Sequence, residues 1–289
     1  MTARAALGRR LLLSARPPGD RARDRRGVCS ICGAEGRFVF NSWILPPELK
    51  RDLGSPALVE AFAARESLFC GSCGANLRVR RLAEVLVEHY GAGATTLAAL
   101  VEEAPFRALE VAEINSIGLL HVFLAGLPRL RYSEFRPGAS PGEVVEGVRS
   151  EDVCRLSYPD ASFDLVLTSD TLEHVPDLPL ALSETRRVLR PGGRHVFTVP
   201  LVPSRPSSRT RAHVGEDGEI RHDLPPQYHG RGSGPFRLVS RKSDLLAFTD
   251  VGIDVLDRLR DARFEPEIHF LRSEVPDADV ALVLCATAV

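Results

Sequence analysis

Apolar residues over 78–91 (RVRRLAEVLVEHYG) recur at Val79, Leu82, Val85, Leu86 and His89/Tyr90, the period of an amphipathic helix. Residues 94–105 add a second helical stretch. From about residue 107 the pattern changes to short apolar runs alternating with helical ones. RALEVAE is a predicted strand, IGLLHVFLAGL a helix, LRYSEF and GVRSED two further strands, and FDLVLTS the clearest buried strand. Leu178, Ala181, Leu182, Thr185, Val188 and Leu189 then mark one face of a helix. Asp177 is placed to cap its start, and Pro191-Gly192-Gly193 to stop it. RHVFTVP is the next strand. Thr249 or Asp250 is expected to cap a helix carrying Ile253, Leu256 and Leu259, and EIHFL and DVALVLCATA close the chain as two more strands. Repeated βα units of this kind predict an α/β fold, a mostly parallel sheet with helices on both faces.

Residues 201–248 break the rhythm. They are rich in Pro, Ser, Gly, Arg and His and follow the fifth strand, on the carboxyl side of the sheet where ligands of open α/β folds sit. A stretch this long without a periodic pattern is read as an inserted lid or a disordered segment.

The chain has 289 residues, 44% of them apolar, enough for one large domain and a small one, which excludes disorder as the dominant state. Net charge is −1, but residues 1–28 carry +6, so the remainder is mildly acidic. That balance argues against a nucleic-acid partner. No apolar stretch approaches the roughly 20 residues that span a bilayer. The N-terminal MTARAALGRRLLLSARPPGD has too short an apolar run for a secretory signal, so 1–27 is read as a disordered basic tail, with a transit peptide as the alternative. The expected setting is cytoplasmic, with no membrane partner.

Four of the six cysteines form two Cys-x-x-Cys pairs, Cys29/Cys32 and Cys70/Cys73, each followed at once by Gly. Two intervening residues let both thiolates of a pair reach one metal from a tight turn, and two such knuckles make a tetrahedral zinc site. Gly33 and Gly74 suit a turn that needs positive φ. The alternatives are disulfides, which fit poorly without a secretory signal, and a redox pair, which would be single and sit at a strand-to-helix turn. A zinc-binding module is therefore expected over 28–76, its metal structural, with a helical connector over 77–106. SPALVEAFAARE and WILPPELKRDL are helix candidates between the knuckles. Cys154 and Cys285 lie in apolar surroundings and read as buried small residues.

The segment FDLVLTSDTLEHVPDLPLALSETRRVLRPGGRHVFTVP (163–200) closely resembles class I S-adenosylmethionine-dependent methyltransferases of the type 11 group. The matching pieces are the FD-strand, the SD-x-x-EHV loop, the helix ending in RVLRPGG, and the strand ending in proline. The wider likeness runs from about 107 to 287, which sets the methyltransferase-like domain at 107–289, with 201–248 as its insertion or lid. The resemblance implies a Rossmann-like, mostly parallel seven-stranded sheet whose last strand is antiparallel, with S-adenosylmethionine as methyl donor.

It also implies site residues. The family's first strand ends in an acidic residue and a Gly-rich loop; here the stretch is LEVAEINSIG. Glu113 matches the acidic position, Asn115 and Ile117 replace glycines, and Gly118 stands one place off the pattern. Asn tolerates unusual backbone angles. Glu134 matches the carboxylate that accepts from both ribose hydroxyls. Asp152 with Val153 matches the position that meets adenine, and the backbone of Ser169 and Asp170 would face the cofactor. His174 is the candidate general base, or else a residue that positions its loop. His213, His222 and His229 in the insertion are candidate substrate contacts, and Arg205, Arg209, Arg211 and Arg221 suit an anionic acceptor. The first reading is methyl transfer to a small-molecule or glycan-type acceptor. The altered glycine loop motivates a second, a catalytically inactive binding or regulatory protein. A nucleic-acid methyltransferase is the third.

Overall fold

The computed structural model describes residues 18–42, 50–51, 53, 55–202, 204–229, 246–270 and 281–289. The chain begins with a short 3-10 turn, Pro18–Arg23, and a three-stranded antiparallel sheet of β1 (Arg25–Val28), β2 (Glu35–Phe40) and β3 (Leu68–Cys70), in that order. The tail expected over 1–27 thus gives way at residue 18 to ordered chain; residues 1–17 lie outside the described residues. The physical reason is local. Asp20 accepts from the Ser42 amide at 2.8 Å, Asp24 accepts from the Phe40 amide at 3.1 Å, and the Arg23 guanidinium lies 3.5 Å from the Phe40 ring centroid.

Helix α1 (Pro56–Ser67) matches the SPALVEAFAARE candidate, while most of WILPPELKRDL lies outside the described residues. Helix α2 (Leu77–Tyr90) is the predicted amphipathic one, capped by Asn76, whose side chain accepts from the Val79 amide. The second helical stretch is two short helices, α3 (Leu97–Leu100) and α4 (Ala104–Arg107).

The large domain follows as β4 (Val111–Ile114), α5 (Leu119–Leu124), β5 (Leu130–Glu134), β6 (Val144–Val145), β7 (Val148–Ser150), β8 (Phe163–Ser169), α6 (Leu178–Val188) and β9 (Leu189–Thr198). The insertion holds β10 (Arg209–Thr210), β11 (Ala212–Val214) and β12 (Ile220–His222). The chain closes with β13 (Thr249–Asp250), α7 (Val255–Asp261), β14 (Phe264–His269) and β15 (Val283–Ala288). The main sheet runs β14-β15-β9-β8-β4-β5-β7-β6. Strands β7, β5, β4, β8 and β9 are parallel, and the last strand, β15, lies antiparallel between β9 and β14. The expected seven-stranded Rossmann-like arrangement is present, with one addition: β6, two residues long, pairs antiparallel with β7 at the edge.

Three local expectations change. Asp177 caps α6, accepting from the Leu180 amide, but the helix ends at Val188, and Pro191-Gly192-Gly193 instead bulges out of the pairing between β8 and β9. Thr249 and Asp250 are a strand paired with β10, and α7 starts at Val255, after Asp254 at its N-cap. The described part of 201–248 is not structureless: β11 and β12 form a hairpin, and Arg211 accepts onto its carbonyl the amides of Asp223 and Leu224.

Two apolar cores cover the two sheet faces. One joins Ile31, Leu86, Leu97 and Leu120 to Leu165, Leu167, Val196 and Val283; the other joins Leu178, Leu182, Val255 and Leu259 to Ala112, Val166, Phe197 and Leu284. The N-terminal module and connector therefore share the first core with the sheet. Cys154 and Cys285 are buried, as expected. Among the described residues no helix is long and apolar enough to cross a membrane.

Candidate functional site

The two knuckles face each other. The turn between β1 and β2 carries Cys29 and Cys32, and the turn after β3 carries Cys70 and Cys73. In each, the amide of the glycine after the second cysteine returns to the first cysteine: Gly33 N donates to Cys29 O and Gly74 N to Cys70 O. Gly33 (φ 72°) and Gly74 (φ 86°) take the left-handed conformation that side chains resist. All four Sγ atoms lie within 4.8 Å of one another, with Cys29–Cys73 at 3.8 Å and Cys32–Cys70 at 3.9 Å. These separations are far from a disulfide. They match the edge of a tetrahedron built on a metal–sulfur distance of about 2.3 Å, an edge of about 3.8 Å. The donor set fits a zinc ion held by all four thiolates. Arg80, buried, stacks 3.8 Å from the Phe38 ring centroid and feels the charge of Cys29, Cys70 and Cys73, a cation placed to offset surplus thiolate charge.

The second cluster of site residues lies at the carboxyl ends of the parallel strands, around the switch point where β4 has β8 on one side and β5 on the other. Glu113, near the end of β4, is fully buried. Its carboxylate accepts from the Ile117 amide at 3.0 Å and pairs with His121 Nδ1 at 2.6 Å, so it braces the following turn. Burial pushes its pKa up, against the pull of His121. In that turn Asn115 has φ 63° and its side chain accepts from the Phe135 amide, while Gly118 has φ 60° with open space where a Cβ would stand. Glu134 ends β5, bonded to Tyr132 Oη and, at 2.7 Å, to Arg136. Asp152 folds back on the Cys154 amide at 2.9 Å, and Val153 is buried.

Ser169 and Asp170, at the end of β8, meet two arginines, one from the N-terminal module and one from the helical connector. Arg65 of α1 holds Asp170 through bonds of 2.7 and 2.6 Å, and Thr198 adds one of 2.9 Å. Arg78 of α2 bonds Ser169 and lies 3.3 Å from Asp170. Glu66 links Arg65 and Arg78, and Asn76 donates to it. The two guanidinium groups hold the Asp170 carboxyl well below the usual carboxylate range despite its burial.

His174 follows in a 3-10 turn, Leu172–His174, with Nδ1 2.9 Å from Leu246 O. Burial lowers its pKa, against the pull of Glu173. Its Nε2 and His229 Nδ1 each lie 3.5 Å from the same Glu173 oxygen. His229 also lines a half-open pocket, whose apolar wall includes Phe62, Pro200, Val202 and Val251 and whose cationic wall is Arg205, Arg209 and Arg211. Asp250 is shared by Arg209 and Arg211. Arg205 has no such partner among the described residues, and burial lowers its pKa. Of the other candidates, His213 pairs with Asp223 and Arg221 with Asp217 on exposed hairpin positions, and His222 is exposed, all outside the pocket lining.

The sequence reading did not single out Arg65, Arg78 or Glu173 as site residues. Glu173 carried a signal, its place in the EHV motif. The arginines carried none.

Residues 135–197 match a family model described as a methyltransferase domain, of the type 11 group. That match covers the stretch from the residue after β5 to Phe197, near the end of β9. Over 54 residues the chain is 51% identical to 27-O-demethylrifamycin SV methyltransferase of Amycolatopsis mediterranei, covering 18% of this chain and 20% of that one. It is 25% identical over 190 residues to a fatty-acid O-methyltransferase of Mycolicibacterium smegmatis, covering 65% of this chain and 56% of that one. A solved structure of Burkholderia thailandensis 1,6-didemethyltoxoflavin-N1-methyltransferase aligns over 91% of this chain and 99% of that one, at 16% identity and a TM-score of 0.41. The chain's matches thus span from a fifth to just over half of these curated relatives' length.

Proposed function

We propose that this chain is an S-adenosylmethionine-dependent methyltransferase acting on a small-molecule acceptor that carries an anionic group, with a structural zinc ion in its N-terminal module. The observation that carries the reading is the row of adjacent strand ends at the switch point: the Glu113–Gly118 turn after β4, Glu134 on β5, Asp152 after β7 and Ser169 on β8. In this reading the Asn115–Gly118 turn receives the methionine part of the cofactor. Glu134 accepts from the ribose hydroxyls, since an ionised carboxylate is acceptor-only. Asp152 and Val153 meet the adenine, and Phe135, 50% exposed beside Glu134, offers it a ring face. Glu113 acts at one remove, by holding the turn.

Methyl transfer from a sulfonium is an in-line displacement in which the cofactor supplies the reactive group and the protein supplies alignment. The pocket beside His229 suits the acceptor. Its apolar wall takes the body of a small molecule, and Arg205, without a carboxylate of its own, pairs with a carboxylate or phosphate on it. The Glu173–His174–His229 group, which reaches the pocket through His229, deals with the proton that a hydroxyl or amine acceptor gives up, His174 being the expected base. The free thiols fit a reducing compartment, the cytoplasm. Calorimetric titration with S-adenosylhomocysteine tests the reading. Saturable binding of one molecule per chain supports it; no heat at hundreds of micromolar retires it in favour of a non-catalytic role.

A further inference from the structure

Glu173 is the anomaly of this molecule. Its side chain is 1% exposed, and neither carboxylate oxygen has a hydrogen-bond partner among the described residues. Leaving a carboxylate so placed without compensation costs several kcal/mol. Its electrostatic neighbour Arg78 is already committed to Glu66 and Ser169.

Two imidazoles face this carboxylate. His174 Nε2 and His229 Nδ1 each stand 3.5 Å from Glu173 Oε1, too far for a good hydrogen bond, and the rings meet edge to face at 4.9 Å between centroids. Leu246 O, an acceptor only, fixes the His174 proton on Nδ1 and leaves the Nε2 lone pair aimed at the group. A backbone carbonyl behind a ligating imidazole is the usual second partner of a metal-bound histidine. The three donor atoms lie within 4.8 Å of one another. A tetrahedral ion with metal–ligand distances of about 2.1 Å sets its ligands about 3.4 Å apart, close to the observed spacing.

We infer that Glu173, His174 and His229 form a divalent transition-metal site, separate from the four cysteines, behind the acceptor pocket that His229 lines. Two imidazoles and a carboxylate suit zinc or ferrous iron and leave coordination positions open. The ion answers the buried carboxylate's charge and engages both lone pairs. Its role rests on the methyltransferase reading: an acceptor hydroxyl at an open position would have its pKa lowered, and the ion, rather than a free His174, would then ease the loss of its proton. The insertion gains a purpose as well, since it delivers His229 and Leu246 to a motif at the end of β8.

A second His/Cys group exists, His89, His269 and Cys285, but there the two imidazole Nε2 atoms already lie 3.2 Å apart, within hydrogen-bond reach of each other. It serves as the rival in the test. Full-length protein is desalted, its zinc counted by mass spectrometry, and the sample titrated calorimetrically with zinc chloride. The wild type should hold or take up one equivalent beyond the four-cysteine ion. Glu173→Gln, which keeps the shape of the side chain, and His229→Gln, which lies outside the main sheet, should each lose that equivalent and keep the first. No second equivalent in the wild type overturns the site, as does a second equivalent that survives both substitutions. S-adenosylhomocysteine titration of the same samples separates the two ideas: loss of cofactor binding with the second ion retained defeats the methyltransferase reading and leaves the metal site standing.

Discussion

Arg65 on helix α1 of the N-terminal module grips Asp170 at the end of β8 through two hydrogen bonds, 2.7 and 2.6 Å long. Arg65 is 1% exposed and Asp170 21%. The module is thereby wired into the floor of the candidate site, and the pair joins two regions distant in sequence. Removing one partner strands the other in a poor solvent. Arg65→Leu is expected to cost about 3 kcal/mol, the lower end for a broken buried pair because Asp170 keeps some solvent. Urea denaturation measures it, and a cycle with Asp170→Asn isolates the coupling. A loss under about 0.5 kcal/mol, the level of an ordinary surface change, would contradict this role.

The four-cysteine cluster should control the same contact from a distance. Ile31, between the first two cysteines, shares a core with Leu97, Leu86 and the sheet. Cys29→Ser or Cys70→Ser should abolish one zinc equivalent, lower the melting temperature and weaken S-adenosylhomocysteine binding, because the helices carrying Arg65 and Arg78 lose their anchor. A variant that loses zinc yet keeps full cofactor affinity would show the module to be independent of the site.

His195 provides a pH signature of the sheet itself. It is fully buried in β9, stacked on Phe197, with Nε2 3.0 Å from Thr168 Oγ1. Burial pushes its pKa down from 6.5 to about 3. The unfolded chain therefore binds a proton near pH 6.5 that the folded chain refuses. Stability from this residue is complete above pH 6.5 and falls as pH drops towards 3, by about 2 kcal/mol at pH 5. Urea midpoints at pH 7 and pH 5 should differ more for the wild type than for His195→Gln; equal differences would refute the assignment.

Arg205 is a cation with an open task. Asp250 is taken by Arg209 and Arg211, while Arg205 lines the pocket without a carboxylate ion-pair partner among the described residues. Phosphate or sulfate at millimolar concentration should raise the melting temperature of the wild type by ligand linkage, and Arg205→Gln should remove most of that rise. An equal rise in both proteins would point to general salt effects.

Much of this architecture was legible in the chain. Buried parallel strands are near-continuous apolar runs, so FDLVLTS and DVALVLCATA stood out, and the Cys-x-x-Cys-Gly spacing carried the knuckle geometry. What escaped were residues whose role depends on tertiary placement. Arg65 and Arg78 look like solvated helix charges until the module folds over β8. Asp20 and Asp24 sit in what reads as a tail, yet their carboxylates bond the backbone of Ser42 and Phe40. Asn115, an apparent loss from a glycine loop, adopts the positive φ that a glycine would, and its side chain ties the turn to Phe135. His229 meets Glu173 only because the insertion folds back along Leu246 and Phe248, the amide of Phe248 donating to Glu173 O.

The central claim is that the strand ends around β4 hold the methyl donor. Calorimetric titration of S-adenosylhomocysteine into wild type and Glu134→Ala tests it most directly. Glu134 lies at the end of β5, 28% exposed, and its loss leaves the apolar cores untouched. The account predicts one site per chain in the wild type and an affinity lowered about tenfold or more in Glu134→Ala, the scale of hydrogen bonds to a charged acceptor. Absence of binding to the wild type, or identical affinity in the two proteins, would contradict it.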